Sequence, residues 1–194
     1  MEEERLISSA IEYVESLFAD RSDGHDSEHT MRVYRNARLL ADSEPECNRF
    51  MVFMAALLHD ADDHKLFQTE NNENARAFLE RHRVSPETIE QICEIINGVS
   101  FSQNRGKRPE SIEGKIVQDA DRLDAMGAIG ISRTFAYGGK HGRSLSESIR
   151  HFEEKLLLLK DEMNTGEGKR MAEARHALLE DFLAAWKRET FADE

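Results

Sequence analysis

The chain has 194 residues, enough for one compact domain with a real core, and 39% of them are apolar. Its net charge of −12 excludes a nonspecific binder of polymeric nucleic acid or of anionic membrane, which needs clustered Lys and Arg; it leaves open a small phosphorylated substrate, since a metal and a few local cations can reverse the sign of one pocket. No apolar stretch reaches the ~20 residues that span a bilayer. With only three prolines and abundant Glu, Ala, Arg and Leu, the composition favours helix throughout. Cys47 and Cys93 form neither a CxxC pair nor a disulfide pattern, and the N-terminus has no apolar signal core, so a reduced, cytoplasmic setting is the economical reading.

In chain order, Arg5 to Phe18 has the spacing of an amphipathic helix, with Leu6, Ile7, Ile11, Val14, Leu17 and Phe18 toward the core. A second helix is expected from about Asp23 to Ala41, ended by the Asp42–Cys47 turn with Pro45. The third, about Glu46 to His59, is apolar nearly all round and should be central. Two more helices follow, Thr69 to Arg81, with a cap at Thr69 and Asn72, and Pro86 to Asn97, opened by Ser85-Pro86. Gly98 to Pro109 reads as a mobile loop. A helix from about Glu110 continues or kinks at Leu123 and runs to Phe135; Tyr137 to Arg143 reads as a glycine-rich connection; Leu145 to Met163 and Gly168 to Lys187 read as a closing helical hairpin, with Phe152, Leu156, Leu159, Met163, Leu178, Phe182 and Trp186 inward. The fold class is all-α, a single domain over residues 1–194.

His59-Asp60 closes the apolar run Met51–Leu58. Adjacent helical residues point about 100° apart, so both reach one cation only where the helix opens onto a cavity. Possible partners stand at His29 and Asp121, giving a two-His, two-Asp site. Two imidazoles and two carboxylates, with positions left for water or phosphate oxygens, suit octahedral Mn²⁺, Fe²⁺, Ni²⁺ or Mg²⁺ better than closed tetrahedral Zn²⁺.

The segments Gly24–Val33, Leu57-Leu58-His59-Asp60-Ala61-Asp62-Asp63-His64-Lys65, Gln118–Gly130 and His151–Leu156 together resemble the HD-domain metal-dependent phosphohydrolases, and within them the small bacterial nucleoside-triphosphate pyrophosphohydrolase-like branch. The resemblance covers His25 to about Trp186, with core motifs in 25–124 and the C-terminal hairpin at about 145–187. It implies an all-helical fold, one divalent metal on His29, His59, Asp60 and Asp121, and cleavage of a phosphate ester or anhydride. It makes His29 rather than His25 the ligand, with His25 supporting or structural, and selects Asp121 over Asp119, which points about 200° away on the same helix.

Asp63, three residues after Asp60, is the general-base candidate, placed to accept a proton from attacking water if the helix persists one more turn. The family's signalling-nucleotide branch carries Glu-Asp after its His-Asp, whereas Asp62-Asp63-His64 stands here, leaving the roles of Asp62 and His64 open. Lys65, Arg122 and Lys140 are the cations expected on substrate phosphate, with Arg143 and Arg175 behind them. Asp124 shares the face of Asp121 and could bind a metal water or substrate hydroxyl. Asp119 is expected to be solvated or paired with Arg122. Gly127 and Gly130 suggest close helix packing, and Phe101, Phe135 and Tyr137 are core residues or base-stacking groups.

The expected activity is metal-dependent hydrolysis of a nucleotide, first a (deoxy)nucleoside triphosphate cut to monophosphate and pyrophosphate. The other readings are a nucleotide monophosphatase, a phosphodiesterase, or a non-enzymatic module that keeps metal and nucleotide binding.

Overall fold

The computed structural model describes residues 2–19, 27–64, 66–100, 104 and 106–190. The described residues hold nine α-helices and one 3-10 segment, and no strand: α1 Glu2–Leu17, α2 Ser27–Asp42, α3 Arg49–Leu58, α4 Glu73–Arg81, α5 Pro86–Asn97, α6 Ile112–Asp124, α7 Gly127–Lys140, α8 Leu145–Glu154, the 3-10 turn Leu156–Glu162 and α9 Gly166–Thr190. The fold class is all-α, as the composition and spacing anticipate. None of these helices is long and apolar enough to cross a membrane.

Every residue of α3 from Val52 to Leu58 is buried, because α1, α2, α5 and α6 surround it. Burial on all sides explains the absence of a polar stripe in its sequence. A second layer of α7, α8 and α9 closes over the far side of α6, held by Phe152 stacked on Phe182 (5.6 Å) with Phe135 edge-on to Phe182 and tilted against Phe152. Phe135 is half-buried and packs against the core. α6 belongs to both layers, so one helix carries the residues that link them.

Side-chain oxygens start several helices by accepting from orphan amides: Ser85 from Thr88 N, Ser111 from Gly114 N, and Ser144 from Glu147 N, with the Glu147 carboxylate accepting in return from Ser144 N. The start of α4 departs from expectation. It begins at Glu73, and its cap is neither Thr69 nor Asn72, which has a left-handed backbone and makes no capping bond with its side chain; instead Asp62, eleven residues upstream, accepts from Asn74 N (2.9 Å) and Ala75 N (3.0 Å).

Three further differences lie in the C-terminal half. The helix from Glu110 breaks at Ala125-Met126, and Gly127 restarts it with φ +65°, a conformation that costs an L side chain dearly. The expected glycine-rich connection is helical through Lys140, and Gly138 serves close packing there, since a Cβ would collide with Ser148 Oγ of α8. The first arm of the hairpin is not one helix to Met163: it ends at Glu154 and tightens into the 3-10 turn. In α9 the inward stripe runs through Ala172, His176, Leu179 and Leu183, leaving Leu178 exposed.

Candidate metal centre

Three elements converge at one end of the central layer. α2 contributes His29 from its first turn; α3 stops at Leu58, so that His59 caps it and Asp60 opens the following turn; α6 contributes Asp121 from its last turn. The helix does not persist past Leu58. Ala61 N bonds to Leu58 O (3.0 Å) and Asp63 N to Asp60 O (3.1 Å), the three-residue spacing of a tighter turn, which keeps Asp60 and Asp63 on one side.

The two imidazole Nε2 atoms lie 3.3 Å apart. His29 Nε2 is 3.4 Å from Asp60 Oδ2 and 3.5 Å from Asp121 Oδ1; His59 Nε2 is 3.5 Å from Asp60 Oδ1 and 4.0 Å from Asp121 Oδ1. His29, His59 and Asp121 can offer three atoms to one ion, with Asp60 at their edge. The distal nitrogens fix what faces inward. His59 Nδ1 donates to Ala56 O (2.9 Å) and His29 Nδ1 to Asp124 Oδ2 (2.7 Å), so in neutral rings both Nε2 atoms present lone pairs toward two carboxylates. Four acceptors facing one another lack a positive charge, and this donor set fits a divalent cation.

The electrostatics say the same. Burial opposes charge on His29, but its hydrogen bonds to Asp124 and Asp60 outweigh burial and push its pKa up to about 9. Burial also acts to raise the Asp124 carboxyl, yet the hydrogen bonds from His29 and Arg32 and the charges of His29 and Arg133 hold it well below the usual carboxylate range. The centre attracts a cation even when a proton is the only one on offer.

Asp124 is thus not a substrate group. Buried behind His29, it accepts from the ring, from Arg32 Nε (2.7 Å) and from Arg133 Nη1 (2.6 Å), and it fixes the tautomer of His29. Arg133 Nη1 also lies 3.0 Å from His29 Nδ1; both are donors aimed at the same Oδ2, so this is proximity rather than a bond. Arg133 escaped sequence reasoning. It lies nine residues past Asp124, and only the break at Ala125-Met126 turns it back onto the centre.

Arg122 is corrected likewise. Its guanidinium is buried, 3.1 Å from the Glu162 carboxylate and bonded to Glu162 O, tying α6 to the 3-10 turn instead of meeting phosphate. Asp119, expected toward solvent or Arg122, is fully buried. It accepts from Asn164 N (2.9 Å), Asn164 Nδ2 (2.8 Å), Thr165 N (2.8 Å) and Thr165 Oγ1 (2.8 Å), organising the entry to α9. Arg175 donates to Leu123 O and Asn36 Oδ1. Lys140 is exposed at the end of α7, about 10 Å along the axis from Arg133. Arg143 covers the Tyr137 ring, which stacks on His141 and is exposed. Asp63 sits in the turn beside Asp60 with its carboxylate 3.9 Å from His64 Nδ1. Lys65, His25 and Phe101 lie outside the described residues.

Comparison with known proteins identifies the family. The HD domain family matches residues 26–126, more than half of the chain, and the chain belongs to that family. The uncharacterized protein YpgQ of Bacillus subtilis (strain 168) is 41% identical over 180 residues, covering 88% of this chain and 87% of YpgQ. The crystal structure of YpgQ in complex with ADP superposes with a TM-score of 0.84 at 33% identity, covering 97% of each chain. An HD-superfamily hydrolase from Bacillus thuringiensis superposes with a TM-score of 0.80 at 40% identity over 98% of this chain and 100% of its own. The protein is an HD-superfamily hydrolase.

Proposed function

We propose that the protein is a metal-dependent phosphohydrolase whose substrates are nucleoside or deoxynucleoside triphosphates, cut to monophosphate and pyrophosphate. The observation that carries the phosphohydrolase reading is the convergence of the His29 and His59 lone pairs with the Asp60 and Asp121 carboxylates, their distal nitrogens already occupied. The nucleotide part is supported by the superposable YpgQ, crystallised in complex with ADP.

In this reading His29, His59, Asp60 and Asp121 hold one divalent ion. When bound, that ion supplies Lewis acidity toward a phosphoryl oxygen and lowers the pKa of water at the site. Asp124 keeps His29 Nδ1 protonated, so that Nε2 stays a ligand. Asp63, on the same side of the turn as Asp60, takes the proton of the attacking water. Arg133, a quarter exposed and next to His29, adds positive charge where the phosphate chain arrives.

The test is a screen of nucleoside tri-, di- and monophosphates with Mn²⁺, Mg²⁺ and Ni²⁺, with phosphate and pyrophosphate measured separately. Pyrophosphate released from triphosphates is the expected product. Phosphate from monophosphates would transfer the reading to a monophosphatase, and binding without turnover would make the protein a nucleotide sensor. Asp63→Asn should keep its metal and lose about 10²- to 10⁴-fold in turnover; unchanged turnover removes Asp63 from the proton transfer.

A further inference from the structure

Behind Asp124, away from the clustered imidazoles, a cleft of about 320 Å³ opens between α2, the start of α7 and α9. Arg32, Arg35 and Arg175 line it, and none of His29, His59, Asp60 or Asp121 does. We propose that this cleft is a second binding site, for a phosphate-type anion, separated from the metal centre by the Asp124 carboxylate.

Charge carries the argument. In a chain of net charge −12, three guanidiniums meet around one cavity, and Asp124 is the only acid in its wall. That acid already accepts from His29, Arg32 and Arg133, three donors for one carboxylate. Arg175 donates to neutral oxygens, Leu123 O and Asn36 Oδ1, and the one acid acting on its charge is Asp124, which it shares with three other donors. Arg35 is exposed at the mouth and has no hydrogen bond or ion pair among the described residues. The first turn of α7 forms another part of the wall. Its N-cap, Met126, supplies no capping side chain, so the amide end of a 14-residue helix adds to the positive field set by the arginines. Guanidinium forks match the planar edges of phosphate oxygens, whereas a divalent cation would be repelled. The volume is at the small end of ligand cavities and has room for a phosphate or pyrophosphate group.

Two sources offer that chemistry: a free inorganic anion, or the phosphate chain of a nucleotide whose other end lies elsewhere. The position of Asp124 makes either one consequential. An anion drawing Arg32 away would leave the carboxylate with fewer donors and thereby alter the hold on His29.

Titration calorimetry with inorganic pyrophosphate as the probe, on the full chain without added metal, decides the matter. Wild type and His59→Ala should bind it alike, and Arg35→Glu, at an exposed position that does not threaten the fold, should weaken binding about tenfold or more. Equal binding by wild type and Arg35→Glu, or loss of binding in His59→Ala, overturns the proposal, the latter placing the anion on the imidazole cluster. A nucleoside triphosphate added to pyrophosphate-saturated protein separates the sources. Displacement that is itself weakened by Arg35→Glu identifies the nucleotide's phosphate chain, and simultaneous binding identifies a free anion. The readout is equilibrium binding, so a chain that hydrolyses no nucleotide would leave this result unaffected.

Discussion

α6 carries two acidic centres two residues apart, and they are built oppositely. Around Asp119, the carboxylate oxygens meet the backbone and side-chain donors of Asn164 and Thr165, so the protein satisfies the charge itself. Around Asp121, the neighbours are Asp60 and two imidazoles whose remaining protons point away, so only an outside cation completes the set. The same residue type on the same helix therefore does different work: a carboxylate surrounded by donors fastens two layers together, and one surrounded by acceptors makes a site. Asp119 is fully buried and the Asp121 side chain a quarter exposed, and the inventory of protons around each decides its role.

The comparison breaks most visibly at Asp121. Asp121→Ala should lose stoichiometric divalent metal and at least about 10³-fold in hydrolysis, since the ion supplies several kcal/mol to such reactions. The metal-free variant should melt no lower than the metal-free wild type, because one of four mutually facing acceptors is gone. Metal analysis and thermal melts with and without chelator check both; a large loss of metal-free stability would mean that the carboxylate is fastened like Asp119. The mirror experiment is Asp119→Ala. It should cost about 3 kcal/mol of stability by stranding the Asn164 and Thr165 donors, while metal affinity falls by at most about tenfold. Denaturant melts read the first number, and Mn²⁺ titration the second.

Proton and metal compete for His29, which sharpens the contrast. The metal-free pKa of this ring stands at about 9 against an ordinary 6.5. A raised pKa means that the stabilisation from the protonated ring is full below pH 6.5 and is lost as pH rises toward 9. Metal-free protein should therefore lose melting temperature across that window, while metal affinity rises over it as a proton is displaced. Asp124→Asn should flatten the dependence and weaken metal binding about 10- to 100-fold. The smallest effect is expected at Asp62, which caps α4. Asp62→Ala should cost about 1 kcal/mol and leave metal content unchanged, and a loss of metal would assign Asp62 to the centre instead.

Local rules carried much of the reading. The apolar run of α3 announces a central helix, Ser85-Pro86 starts α5 at the expected residue, and His59-Asp60 at the end of a buried helix marks a place where polar groups need a reason. Those signals lie within a few residues of one another, where spacing and capping chemistry decide the outcome. The errors have a common origin in long-range partners. The sequence leaves Asp62 without a role because the helix it caps begins eleven residues away; Arg122 reads as a phosphate ligand because Glu162 is forty residues on; Gly138 reads as a breaker because Ser148, which needs its missing Cβ, belongs to another helix.

The sequence by itself determined the all-helical class, the central helix and the acid-imidazole chemistry of the site, because periodicity, capping and ligand type are properties of short segments. Only the tertiary structure decided which carboxylate of α6 is closed by donors and which stays open, that Asp124 and Arg133 stand behind His29, and that three arginines share a cleft. Those choices depend on which atoms from distant segments arrive with protons and which arrive with lone pairs, and packing alone brings them together.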